Sequence, residues 1–270
     1  QLIPVGMDPE QAIGPVPEVK PMELVVEPYS RREVEYPAMA EAHAASSLVS
    51  PEHVRELWGM PPSPATPEIQ GKLFPLSCPP AEDLPQDTIE EVILRRGSSR
   101  RFRRSPISYQ QLSIMLDRAA RPIPADFIER SDATLNQIYL IANGVDDLPS
   151  GSYVYRRDLG ALEQLSEGDF REQAGRLDLG QELAADASVN IYFLTDLNAV
   201  LQRYGNRGYR MAQMEASITA GRLYLAAYAQ KLGATGLTFF DDEVTEFFSP
   251  HAEGKSVMFL LAVGRSGRRG

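Results

Sequence analysis

Proline draws the first boundary in this chain. Sixteen of its 21 prolines precede residue 86, in runs such as "PPSPATPE" and "SCPPAEDLP". Each one fixes φ and removes a backbone donor, so this stretch cannot carry a continuous sheet. Short helices remain open to it: Ser50-Pro51 makes an N-cap and first-turn pair, with Val54, Leu57 and Trp58 following on one face. Residues 1–83 therefore read as a proline-rich arm or linker, and residues 84–270 as the folded domain. Leu57, Trp58 and Phe74 ask for burial, which favours an arm that packs on something over a disordered tail.

From Leu84 onward periodic segments begin. Thr88-Ile89-Glu90-Glu91 reads as a capping box, with Ile89, Val92 and Ile93 forming one face of a helix that stops by Gly97. Ser108 and Gln111 repeat the device ahead of a stripe of Leu112, Met115, Leu116 and Ala119. Strands are expected at 138–142, 153–156, 189–195, 237–240 and 257–263, all rich in β-branched or aromatic residues. A long helix is expected over 209–232. Its Met211, Met214, Ile218, Gly221, Leu225, Tyr228 and Leu232 recur at steps of three and four, and its alanines leave the remaining surface small. Such a helix is either the central core helix or a subunit contact. The pattern is α+β or mixed α/β, with one central mixed β-sheet flanked by helices.

Composition removes several function classes. The longest apolar run, Val257 to Val263, is far short of the roughly 20 residues that cross a bilayer, so no membrane span is expected. The single Cys78 excludes an internal disulfide framework and favours a reducing, cytoplasmic setting. His43, His53 and His251 are scattered without ligand spacing, so no metal site is expected. A formal net charge of -10 argues against a nucleic-acid surface, which needs a broad basic face.

Against that acidity stands "RRGSSRRFRR", residues 95–104, with six arginines. Converging guanidinium groups suit a phosphate monoester, which offers several acceptor oxygens and nearly two charges. The block follows a helix C-terminus, where the dipole repels anions, so side-chain cations and backbone must supply the attraction. Arg95, Arg101, Arg103 and Arg104 are expected to find surface carboxylates or to lie over apolar surface.

This block, followed by "SPISYQQLSIMLDRA", resembles the opening signature of the nitroreductase-like flavoproteins, Arg-Arg-Ser-x-Arg-x-Phe ahead of a capped helix. "IYLIANGVDDLPSGSYVYRRDLGALEQL", "YGNRGYRMAQMEASITAGRLYLAAYAQKLGATGL" and "AVGRSGRRG" are similar, in order, to the SagB-type branch, the dehydrogenases of azoline-containing peptides. The resemblance implies a nitroreductase-like fold and an FMN-dependent oxidoreductase, with hydride passing through flavin N5 and a small-molecule or peptide substrate. NAD(P)H is one candidate electron donor. It also implies Arg96, Ser98 and Arg100 as phosphate donors, Gly97 as a backbone contact and Arg265 and Arg268 as a second clamp. Asn136 matches an asparagine at the flavin edge, and the Gly236-Leu237 turn would let backbone approach N5.

Two departures bear on activity. The branch's catalytic Lys-Tyr pair is here Arg203-Tyr204, and arginine does not serve as a base, although it could stabilise an anion or the Tyr204 phenolate. "EASITAGRLY" also lacks the usual Gly-His, leaving the polar contacts of Ser217, Ile218 and Arg222 open. A degenerate, non-catalytic domain that pairs with an active one is the alternative. The family's sites lie between protomers, so a homodimer or pairing with a preceding tandem domain is implied. "LIPVG" at residues 2–6 echoes "LLAVG" at 260–264, which suggests that residues 1–6 are the tail of such a preceding domain.

Overall fold

The computed structural model describes residues 20, 23–25, 27, 30–48, 50–57, 68–125, 127–128 and 133–267. The chain divides into two compact units, Gln1–Leu57 and Trp58–Gly270. The first holds α1 (Pro37–Ala45) and α2 (Pro51–Glu56), each with proline in its first turn. At α2 the expected cap forms, Ser50 Oγ accepting from the His53 N–H at 3.3 Å. Trp58 and the echo at residues 2–6 lie outside the described residues.

The second unit opens before the expected domain start at residue 84. Strand β1 (Leu73–Pro75) pairs antiparallel with β7 (Ala161–Glu167). Its approach is set by Glu163, whose Oε1 accepts from the backbone N–H groups of Gln70 and Gly71 at 2.7 and 3.1 Å. Three residues at a sheet edge are as much strand as the proline spacing tolerates.

Helices α3 (Ile89–Arg95) and α4 (Tyr109–Ala119) both start with the expected reciprocal capping boxes. Short strands β2 (Phe102–Arg103) and β3 (Ile107–Ser108) separate them. Then follow β4 (Gln137–Ala142), β5 (Val145–Asp146), β6 (Gly151–Arg156) and β7, the helices α5 (Arg171–Leu177) and α6 (Glu182–Asp186), and β8 (Val189–Thr195). The chain closes with α7 (Leu197–Tyr204), α8 (Arg207–Ala229), β9 (Gly233–Gly236), α9 (Asp241–Phe248) and β10 (Ser256–Ser266). The main sheet runs β1-β7-β6-β4-β8-β10-β2, with β9 also on β10.

The α+β class is as expected, but the sheet is not mixed. Its pairings are antiparallel, and the parallel pairing of β3 with β5 belongs to a separate two-stranded sheet. A tight turn helps to impose this: β6 and β7 are joined through Gly160, whose φ of 56° suits glycine. The strand expected at 237–240 is displaced to β9. Leu237 and Phe239 instead pack as partly buried plugs on the core, and Phe240 caps α9.

One face of the sheet presents Tyr139, Ile141, Val154, Tyr192, Leu194 and Leu260 to α5 and α9, where Leu177, Val244 and Phe248 close the core. Helix α8 packs on β9 and β10 and against α4 and α7. Its buried face is the small one, with Gly208, Ala212, Ala216, Ala220 and Ala227 beside Met211 and Leu223. Met214 and Ile218, expected within a buried stripe, are exposed, as are Ile89, Ile93 and Leu94 of α3. Small side chains allow the helix to approach the strands closely, which turns the bulkier residues outward.

Candidate functional site

The arginine segment leaves α3 in extended conformation at Arg96, with φ -64° and ψ 136°. Ser99 anchors it. The Ser99 N–H donates to the Ala234 carbonyl at 3.0 Å, and its Oγ lies 2.8 Å from Ser266 Oγ, tying the segment to β9 and β10. Ser99 is buried, whereas Arg96, Gly97, Ser98 and Arg100 are exposed around it. Gly233 makes room for this lock, since a Cβ there would stand 2.0 Å from Ser266 Oγ and 2.3 Å from Ser99 Oγ.

Two tyrosines of α8 complete the seat. Tyr224 and Tyr228, one helical turn apart, stack with ring centroids 5.8 Å apart and planes 4° from parallel. Both phenols donate to the Gly97 carbonyl, at 3.0 and 2.7 Å, and Tyr224 Oη also lies 3.1 Å from Ser98 Oγ. The Arg96 guanidinium sits 5.2 Å from the centre of the Tyr224 ring. Gly97 has no protein atom within 4 Å of where a Cβ would be, so its outer side is open.

The remaining arginines sort themselves by partner. Arg95 binds Asp87 and the Tyr228 carbonyl near the C-terminus of α8, where the dipole favours a cation. Asp87 also binds Lys231, and these two contacts, Lys231 first, hold its carboxyl below the usual range. Arg104 binds Asp186. Arg95 and Arg104 thus take the carboxylate partners expected of them. Among the described residues no ion pair engages Arg96, Arg100, Arg101 or Arg103.

Two expected parts of the site, Arg265 and Asn136, lie elsewhere. Arg265 is next to Ser266 on β10, and alternate strand residues face opposite ways. Ser266 meets Ser99, while Arg265 Nε donates to the Pro106 carbonyl at 2.9 Å. Arg268 lies outside the described residues. Asn136 is buried against the opposite side of α8: its Nδ2 donates to the Ala212 carbonyl at 3.0 Å and to Glu215 Oε2 at 2.6 Å. Nine residues separate Glu215 from Tyr224, about two and a half turns, so they point in opposite directions.

Asn136 belongs instead to a buried polar cluster that sequence reading missed. Glu215 Oε2 also accepts from the Leu135 and Asn136 backbone N–H groups, both at 2.9 Å. Arg157 donates to the Thr134 hydroxyl, the Asn136 carbonyl and the Ala120 carbonyl. Burial raises the Glu215 carboxyl despite these donors. Both acceptors around Asn136 Nδ2 fix the amide orientation, leaving its Oδ1 buried and without a donor among the described residues.

Tyr204 is also buried, with its hydroxyl donating to the Phe127 carbonyl at 2.9 Å. Arg203 lies 5.1 Å over the ring, but burial outweighs it and raises the phenol. In this arrangement Arg203 opposes, and does not overcome, the effect of burial on Tyr204. Gly236 is exposed at the end of β9, an edge strand whose other end meets Ser99, and the Leu237 N–H makes a 3.3 Å bond to the Leu260 carbonyl. The structure thus brings together Arg96, Gly97, Ser98 and Arg100 along one edge that β9 extends to Gly236. Tyr224 and Tyr228, missed from sequence, were legible there only as an i,i+4 aromatic pair.

Comparison with known proteins follows this geometry. The Nitroreductase family model matches residues 93–265, from the arginine segment to the end of β10. A nitroreductase-family protein of Methanocaldococcus jannaschii, MJ1384, is 24% identical over 193 residues, covering 68% of this chain and 93% of its own. A crystal structure of a nitroreductase-family protein from Anabaena variabilis superposes with a TM-score of 0.63 at 26% identity, over 73% of this chain. This chain spans only 42% of that longer one. The fold also matches the Escherichia coli microcin synthetase McbBCD complex with truncated pro-MccB17 bound, with a TM-score of 0.55, 18% identity and coverage of 88% of this chain and all of that one. With well over half its length matched by the family model, the chain belongs to the nitroreductase family, whose members are generally FMN-dependent oxidoreductases.

Proposed function

We propose that this protein is an FMN-dependent oxidoreductase whose arginine segment holds the cofactor phosphate. The observation that carries the reading is the exposed face of Arg96, Gly97, Ser98 and Arg100. Two guanidinium groups that make no ion pair among the described residues flank a serine hydroxyl, over a backbone with open space beyond the Gly97 Cα. That donor set fits a phosphate monoester. Gly236, exposed at the end of β9, and Leu237 after it are the backbone proposed to meet the ring. Asn136 is bonded to Ala212 and Glu215 on the far side of α8, which argues for a structural part. When bound, FMN supplies hydride transfer at N5, and the protein supplies binding and orientation.

The substrate is small or peptidic. The SagB-type resemblance supports the peptidic option, and the fold shared with the microcin synthetase complex agrees with it. NAD(P)H is the competing electron donor. Exposed Ile89, Ile93 and Leu94 on α3 and Tyr209, Met214 and Ile218 on α8 support pairing, either as a homodimer or with a tandem domain. A reducing, cytoplasmic setting is part of the reading, supported by the free Cys78. Among the described residues no helix is long and apolar enough to cross a membrane, and no cluster of His, Cys, Asp or Glu could hold a metal.

The test is the spectrum of the purified protein, with flavin absorbance expected near ~450 nm. Arg100→Ala should release FMN, and unchanged occupancy would remove the phosphate assignment. A second reading, a non-catalytic partner domain, draws on the engaged Tyr204 hydroxyl and on Arg203 in place of lysine. Flavin that binds but is reduced by neither NADPH nor an azoline peptide would favour it; reduction by one of them identifies the donor.

A further inference from the structure

We propose that Tyr224, backed by Tyr228, is a positioning residue that makes this site select a phosphorylated flavin over an unphosphorylated one. The inference rests on the FMN reading above and assigns the selectivity to side chains outside the arginine segment.

The argument starts from one peptide plane. In a trans peptide the C=O and the following N–H point in opposite directions. The Tyr228 phenol holds the Gly97 carbonyl toward α8, so the N–H of Ser98 points away from α8. Among the described residues that N–H has no acceptor. Rotation of this peptide would turn a carbonyl toward the ligand, and a carbonyl repels an anion.

Hydroxyl protons add a second element. Tyr224 has one proton and two acceptors within reach, the Gly97 carbonyl and Ser98 Oγ. Tyr228, at 2.7 Å, already satisfies the carbonyl. Tyr224 can then donate to Ser98 Oγ, which frees the serine proton to point outward as a donor. An approaching anion favours this arrangement, because the alternative spends the serine proton on Tyr224. The Tyr224 ring meanwhile holds the Arg96 guanidinium, and the stacked Tyr228 ring limits its rotation. Tyr224 thus orients a hydroxyl donor and a cation, and Tyr228 the backbone donor, toward a single anion.

The experiment measures FMN and riboflavin affinities of the purified full chain by fluorescence titration. Wild type should prefer FMN. Tyr224→Phe keeps the ring and its stacking but removes the hydroxyl, and should weaken FMN by about tenfold, the scale of a charge-assisted hydrogen bond. Riboflavin should be unaffected. Tyr228→Phe tests the carbonyl arm independently of Tyr224 and should weaken FMN by a few-fold. A variant that loosens FMN and riboflavin equally, or neither, overturns the inference. Wild type that binds both flavins equally, or neither, removes the phosphate reading itself and the inference with it.

Discussion

Ser99 Oγ lies 2.8 Å from Ser266 Oγ, joining positions 167 residues apart at the point where the arginine segment crosses the end of the last strand. The contact exists because Gly233 has no side chain beneath it. Gly233→Ala should force both hydroxyls to rotate and should destabilise the fold by about 1–3 kcal/mol. Ser266→Ala alone should cost about 1 kcal/mol. In the double variant the new methyl occupies space vacated by the serine oxygen, so the combined loss should be less than additive. Urea unfolding of the three variants measures this. Gly97→Ala, where a Cβ meets nothing, is the control and should leave stability unchanged. Additive losses would show that Gly233 is not matched to the serine pair.

Much of this was written in local sequence. The capping boxes of α3 and α4 and the strands β4, β8 and β10 follow from short-range pattern alone, and the arginine spacing marked the segment that became the exposed cationic face. What was not legible depends on partners far away in sequence. Helix α8 shows apolar residues on several faces, and only contact with β9 and β10 decides that its alanines turn inward. Strand β9, Gly-Ala-Thr-Gly, has little strand propensity of its own and is selected by close approach to Ser99 and Ser266. Asn136 was marked by motif position, yet its amide is engaged by Glu215, 79 residues away.

Glu215 offers a stability test separate from flavin binding. Its Oε2 takes three N–H donors, and Arg157 is the buried cation whose field partly offsets its desolvation. Glu215→Ala would strand those donors and leave Arg157 uncompensated, with an expected loss of about 3–5 kcal/mol. Glu215→Gln retains one acceptor oxygen and should lose much less. Denaturant midpoints decide the order, and equal losses would show that charge outweighs the acceptor geometry.

Tyr204 carries a different expectation. Burial raises its phenol above the ordinary value, which favours a role as neutral donor over one in proton abstraction. Tyr204→Phe should lower stability by about 1 kcal/mol through loss of the bond to the Phe127 carbonyl. The pH profile of flavin reduction should keep its shape between about pH 6 and 9. A profile limb that disappears in Tyr204→Phe would instead assign a titrating role to this residue.

Asp178 sets the pH dependence of the core. It is buried at the end of α5, accepts from the Tyr192 hydroxyl at 3.0 Å through Oδ1, and leaves Oδ2 without a partner among the described residues. Burial raises its pKa to about 8, against the opposing pull of the Tyr192 bond. The unfolded value is about 3.9, so between these limits the native state binds a proton that the unfolded state has released. Stability is therefore greatest below the unfolded pKa and falls as pH rises, by up to about 1.4 kcal/mol per pH unit, until the native group ionises. Asp178→Asn removes the titration and keeps an acceptor for Tyr192. Relative to this variant, wild type should lose stability from about pH 5 to pH 8 and then level off. Urea unfolding of both proteins across that range measures the difference, and a constant gap would show that Asp178 ionises normally in the native state.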